Sequence, residues 1–188
     1  MTVTESVDVW VVPLERTDEE IEALLATLSP EERERAGGAP RGMRKRRYVA
    51  RQAALRAVLA GRTGTAPDRL SFVRTAGGKP ALAGSHDVSF SVSDSGDLAL
   101  VAVAERDIGV DVERIRDRPI AARAEALGIE RFFERWTWLE AKGKARGVGL
   151  FGGRGAEAVA CTSIDVGPGY AAAVAVDADE AQVRLVRY

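Results

Sequence analysis

A chain of 188 residues, 46% of them apolar, is long enough to bury a sizeable core as one domain or as two small halves. Its 27 basic and 28 acidic residues leave a formal charge of -1, which argues against nucleic acid or an anionic membrane as the main partner and confines electrostatic recognition to local patches. The start "MTVTESVDVWVVPLE" lacks the pattern of a leader, no run reaches the roughly 18 apolar residues of a membrane span, and the single Cys161 cannot form an internal disulfide. The expectation is a cytoplasmic protein with a structural cysteine.

In chain order, "VDVWVVPL" (7–14) predicts a strand, and "TDEEIEALLATL" (17–28) predicts a helix whose Thr17 and Glu20 have capping-box spacing. "SPEERERA" (29–36) opens a second helix in the same way, with Ser29 as cap, Pro30 in the first turn and Glu32 three residues after the cap. After "GGAPRG" a long helix is expected over "MRKRRYVARQAALRAVLAG" (43–61), ended by Gly61. A strand near Leu70–Arg74, a turn at "AGGKP", two strands within Val88–Ala104 and another over Ile108–Arg114 come next. A helical region is expected over 119–149, then strands around Val159–Val166, Tyr170–Val176 and Gln182–Val186.

Two segments echo each other. "GDLALVAVAERDIGVDVER" and "GYAAAVAVDADEAQVRLVR" share a glycine, a strand of small and branched residues, a charged turn and a second alternating strand ending in arginine. Each follows a helix containing alanine and arginine. The expectation is an α+β fold of two similar halves, 1–104 and 105–188, forming one compact unit with a ligand cleft between them. Chance similarity between alanine-rich segments is the competing explanation.

In "IGVDVER" (108–114) the apolar Ile108, Val110 and Val112 share one face, so Gly109, Asp111 and Glu113 share the other. Neighbouring carboxylates repel unless solvent or a cation separates them, and Gly109 leaves room beside them. A magnesium ion, which takes one or two carboxylates and reaches outward to phosphate, is one resolution; a solvated outer face is the other. Glu140 and Lys144, four apart, share a helical face and can project together as a carboxylate and an ammonium, or form a surface ion pair. Arg44, Arg47 and Arg51 form a cationic stripe that either grips phosphate or faces solvent. The only histidine, His86, reads as a surface loop residue.

The ordered set "GKP" (78–80), "FSVSDSG" (90–96), "IGVDVE" (108–113) and "WTWLEAKGKARGVGL" (136–150) resembles the signature blocks of the Sfp-type 4'-phosphopantetheinyl transferases. The resemblance runs from the arginine-rich helix to the final "DVGPGYAAAVAV". It implies a pseudo-twofold pair of α+β halves with coenzyme A and Mg2+ held between them. The implied reaction transfers the phosphopantetheine arm to a serine of an acyl or peptidyl carrier protein, in polyketide or nonribosomal peptide biosynthesis, and releases adenosine 3',5'-bisphosphate. By position, Asp111, Glu113 and Glu140 match the metal-binding acids, and Glu140 also matches the acid that deprotonates the acceptor serine. Lys144 matches the lysine near the pyrophosphate, Lys79 and Pro80 the block near the nucleotide, Ser93 the serine before the family's histidine, and Arg47 the arginine on the 3'-phosphate.

Two positions depart from the family pattern. The family's Ser-His-Ser-Gly reads Ser93-Asp94-Ser95-Gly96 here, placing an anion where a phosphate donor is expected, and its Lys-Glu reads Leu139-Glu140. Two function classes follow from the sequence. One is a divergent transferase, expected to act as a monomer. The other is a repurposed family member: an enzyme acting on a small or carrier-bound substrate with Asp94 as acid or base, or a non-catalytic binding partner.

Overall fold

The computed structural model describes residues 2–38, 42–84, 87–115, 128–147 and 159–188. His86, residues 119–127 and 148–149 of the expected helical region, and Leu150 of the last signature block lie outside the described residues. The described elements run β1 (Thr4–Pro13), α1 (Asp18–Leu25), α2 (Pro30–Gly38), α3 (Met43–Thr63), a 3-10 turn (Pro67–Arg69), β2 (Phe72–Arg74), β3 (Pro80–Leu82), β4 (Ser89–Ser95), β5 (Leu98–Ala104), β6 (Ile108–Arg114), α4 (Ile129–Arg146), β7 (Ala160–Ser163), β8 (Tyr170–Val176) and β9 (Glu180–Arg187). The mixed α+β character expected from the sequence is what the chain adopts.

Local chemistry accounts for several boundaries. Glu20 N donates to Thr17 Oγ1 and Thr17 N donates to Glu20 Oε2, completing the capping box of α1. Ser29 and Glu32 make the same reciprocal bonds at the start of α2. Helix α3 does not stop at Gly61. It continues to Thr63 and closes on Gly64, whose φ of 70° is the left-handed cap that glycine adopts without strain, whereas Gly61 does not take a positive φ.

The strands form a four-stranded sheet in the order β4-β5-β1-β9, a three-stranded sheet β6-β8-β7 and the short β2-β3 hairpin. β9 pairs in parallel with β1, Val7 opposite Val183, so the last strand of the chain completes the sheet that holds the first. Alternation on β1 and β5 divides the interior into two cores. Val12, Leu14, Val101 and Val103 pack with Val49, Ala53 and Leu59 of α3. Val7, Val9, Leu100 and Ala102 pack with Ile108, Val110, Val174 and Val176 of the second sheet. On the far face of that second sheet, α4 seats Ala141 and Ala145 against Ala173 and Ala175. These small side chains allow a close helix-to-sheet approach. Among the described residues no helix is long and apolar enough to cross a membrane.

Candidate functional site

β6 is the edge strand of its sheet, and an edge leaves backbone N–H and C=O groups in need of partners. The neighbouring β4 supplies them through side chains rather than through a ladder. Strand alternation points Phe90, Val92 and Asp94 toward α3 and Ser91, Ser93 and Ser95 toward β6. Val110 N donates to Ser91 Oγ at 3.0 Å, and Arg114 N donates to Ser95 Oγ at 3.1 Å.

At the middle of this seam lies a charged knot. Lys144 Nζ, reaching in from α4, donates to Asp111 Oδ1 at 2.6 Å, Ser93 Oγ at 3.0 Å and the Val110 carbonyl at 3.1 Å, which uses all three ammonium protons. Ser93 Oγ donates its own hydrogen bond to Asp111 Oδ1 at 2.8 Å. Asp111 is 4% exposed, and its second oxygen, Oδ2, is buried with no hydrogen-bond partner among the described residues. Glu113 accepts from Ser95 Oγ at 2.9 Å. Partial burial, reinforced by the negative charges of Asp111 and Glu113 and offset in part by Lys144, pushes the Glu140 carboxyl above the usual carboxylate range. Four of the residues singled out from the sequence, Ser93, Asp111, Glu140 and Lys144, therefore act on one another, and Glu113 joins them through its charge on Glu140. Among the described residues, no three His, Cys, Asp or Glu side chains converge closely enough to hold a metal by themselves.

The space beside Gly109, expected to be open, is filled by α4. A Cβ placed there would lie 2.0 Å from the Ala141 carbonyl oxygen. The glycine serves to let the helix descend until Lys144 can reach Asp111.

Next to the knot is a cavity of about 630 Å³ walled by α2, α3, the β2–β3 hairpin, β4 and α4. Its charged lining consists of Arg35, Arg51, Arg74, Lys79 and Lys144 against a single acid, Glu32. Pro80 is also in the wall, while the Lys79 ammonium is held at 2.8 Å by Asp107. Gly77 abuts the Gly147 carbonyl, so the hairpin turn is sealed against the C-terminal end of α4. Two buried polar atoms at this wall, Tyr48 Oη and Arg51 Nε, have no hydrogen-bond partner among the described residues.

Asp94 and Arg47 are not part of the knot. Asp94, on the opposite face of β4 from Ser93, is exposed and bonded to Arg51 Nη1 at 2.6 Å, so it meets the cavity only through that guanidinium. Arg47 pairs with Asp97 in the β4–β5 turn, which also takes Arg114 at 3.1 Å. Sequence reasoning did not single out Tyr48, Arg74, Ser91 or Ser95; the period-two serines of "SFSVSDS" were the available signal for the last two. Cys161 lies in β7, where burial pushes its thiol up to about 11, so it stays protonated at neutral pH.

Residues 14–106 match the family described as 4'-phosphopantetheinyl transferase, N-terminal. The chain is 32% identical to the 4'-phosphopantetheinyl transferase HetI of Nostoc sp., over 78% of this chain and 71% of that one. It is also 32% identical to slr0495 of Synechocystis sp., whose name provisionally assigns the same activity, over 77% of this chain and 66% of that one. The family match ends before Asp111, Glu113, Glu140 and Lys144, whereas the arrangement of those four with Ser93 follows from the fold itself. On this similarity, the protein belongs to the 4'-phosphopantetheinyl transferase superfamily.

Proposed function

We propose that the protein is a Mg2+-dependent transferase that moves the 4'-phosphopantetheine arm of coenzyme A onto a serine of an acyl or peptidyl carrier protein. The observation that carries this reading is the cavity's lining: five cations against one acid, opening beside the Lys144–Asp111 pair. Guanidinium and ammonium groups at that density suit a ligand with several phosphates. Phe72 and the orphaned Tyr48 hydroxyl offer an apolar face and a polar contact for a base. In this reading the cavity is the cleft between the halves 1–104 and 105–188, related by a pseudo-twofold axis, and the protein works in the cytoplasm as a monomer in polyketide or nonribosomal peptide biosynthesis.

The acids suit a divalent ion whose shell is completed by water and phosphate oxygens, since no three of them converge on one point among the described residues. Among the described residues Asp111 Oδ2 is a buried anionic oxygen without a partner, and Glu140 is under repulsion from Asp111 and Glu113 that a cation would relieve. Asp111, Glu113 and Glu140 would hold Mg2+, which when bound supplies neutralisation of the pyrophosphate charge. Glu140 takes the proton of the carrier serine. The serine oxygen forms a bond to the phosphorus that carries the pantetheine arm. The bond from that phosphorus to the bridging oxygen breaks, and its electron pair leaves on adenosine 3',5'-bisphosphate, where Lys144 offsets the charge. Ser93 keeps Lys144 and Asp111 in register, while Lys79 and Pro80 wall the nucleotide. Arg51, rather than the positional match Arg47, is the arginine assigned to a phosphate, because Arg51 lines the cavity and Arg47 does not, each being paired with an aspartate. An acid or base role for Asp94 gains no support from its position; it acts as counter-ion to Arg51.

The test is mass spectrometry of apo carrier proteins incubated with coenzyme A, Mg2+ and this protein. The expected result is a mass gain of one phosphopantetheine on serine. Tight coenzyme A binding with no gain on any acyl or peptidyl carrier protein would refute transfer and favour a repurposed binding protein.

A further inference from the structure

The three serines of β4 that face β6 are each buried, and they do not do the same work. Ser91 and Ser95 both accept an edge N–H of β6, from Val110 and Arg114 respectively. They differ in where their own proton goes. Ser95 donates to Glu113 Oε2, whereas no carboxylate of the described residues accepts from Ser91. A serine hydroxyl has one proton and rotates freely unless its neighbours fix it. At Ser95 the Arg114 N–H occupies one lone pair, so the rotor settles with its proton on Glu113. Glu113 is only partly buried and sits one residue from the end of β6. Without that bond its carboxylate would be free to exchange among rotamers, at an entropic cost to any ligand that must order it.

We infer that Ser95 is a positioning residue for the acidic cluster: it fixes the Glu113 carboxylate on the β6 face that also carries Asp111, and thereby sets the cluster's affinity for Mg2+, whereas Ser91 only closes the strand seam. This rests on the assignment of Asp111, Glu113 and Glu140 to Mg2+ made above. Outer partners that orient a metal-binding carboxylate typically change metal affinity or activity by about 10–100-fold when removed.

The test is calorimetric titration of Mg2+ into the full chain with coenzyme A present, with melting temperatures recorded in parallel. Ser95→Ala is expected to weaken Mg2+ by roughly tenfold. Ser91→Ala is expected to lower the melting temperature comparably while leaving Mg2+ affinity within about twofold, since its lost bond is of the same kind but touches no carboxylate. In a Glu113→Gln background, Ser95→Ala should cause no further loss, because the group it orients is already gone. If Ser95→Ala melts too early to assay, Ser95→Cys, which keeps the packing but donates weakly, is read in its place. Unchanged Mg2+ affinity in the Ser95 variant, or an equal loss in Ser91→Ala, overturns the inference and leaves the metal assignment standing. An unmutated protein that binds coenzyme A but no Mg2+ overturns both together.

Discussion

Gly109→Ala tests whether the descent of α4 onto β6 builds the site. The added Cβ would lie 2.0 Å from the Ala141 carbonyl oxygen, 2.5 Å from Ala145 N and 2.9 Å from Lys144 Cβ. Two of these atoms belong to helix backbone, so no side-chain rotation relieves the overlap. The helix must retreat by on the order of 1 Å before ordinary van der Waals separation returns. Overpacking of this kind costs about 3 kcal/mol, at the upper end of its usual range. In a domain of this size that corresponds to a fall in melting temperature of roughly 10 °C. The consequence for function is larger, because Lys144 and Glu140 ride on the displaced helix and a shift of about 1 Å can cost roughly a hundredfold in rate. Thermal melts by circular dichroism, followed by carrier-loading rates at a temperature where the variant is folded, measure the two effects separately. A Gly109→Ala protein that melts within a degree or two of the parent and loads carrier at the parent rate would refute the claim that close helix approach assembles the cluster.

Other expectations follow from single contacts. Lys144→Met leaves Asp111 buried and unpaired and should cost roughly 3 kcal/mol, the low end for a broken buried pair because Lys144 is itself partly exposed; adding Asp111→Asn should recover much of the loss in denaturant titrations. Arg51→Ala should weaken coenzyme A binding more than Arg47→Ala, and Asp94→Asn should strengthen it by releasing Arg51; equal losses for the two arginine variants in calorimetry would detach the cavity from the phosphate assignment. Glu140 has a raised folded-state pKa, so the stability associated with its proton is present below the unfolded value of 4.5 and is lost as pH rises through the higher folded value. Glu140→Gln should therefore melt at the same temperature or a few degrees higher at neutral pH, with the difference vanishing in acid and carrier loading abolished; destabilisation at neutral pH would contradict the repulsion assigned to Glu140.

Much of the fold could be read before any coordinates, because its elements obey local rules. The capping boxes at Thr17 and Ser29 depend on residues three apart, and the strands of β4, β5, β6 and β8 on simple alternation or apolar runs. What failed was local information used for a question that is not local. Gly61 looked like a stop signal, yet the left-handed position falls at Gly64, three residues on. The sequence does not announce β3: its Pro80 reads as the end of the "AGGKP" turn, and three residues beginning with proline carry no periodicity of their own.

The site divides along the same line. Alternation placed Asp111 and Glu113 on one face of β6, and helical spacing placed Lys144 beside Glu140, because one strand or one turn of helix settles such relations. Gly109 was read as room for an ion, because sequence shows a missing side chain but not the helix that fills the space. The spacing of Arg47 and Arg51 was equally legible, but which of them meets the cavity depends on how α3 is rotated against β4 and on where Asp94 and Asp97 stand to receive them. Asp94 shows the limit most clearly. Motif alignment set it beside Ser93 as one recognition unit, yet adjacent residues of a strand point to opposite faces, so Ser93 joins Lys144 and Asp111 while Asp94 turns to α3. A motif records which residues are neighbours along the chain; the pleat decides which of them share a chemistry, and here it puts the departure from the family pattern on the cavity's arginine rather than on the acids and lysine.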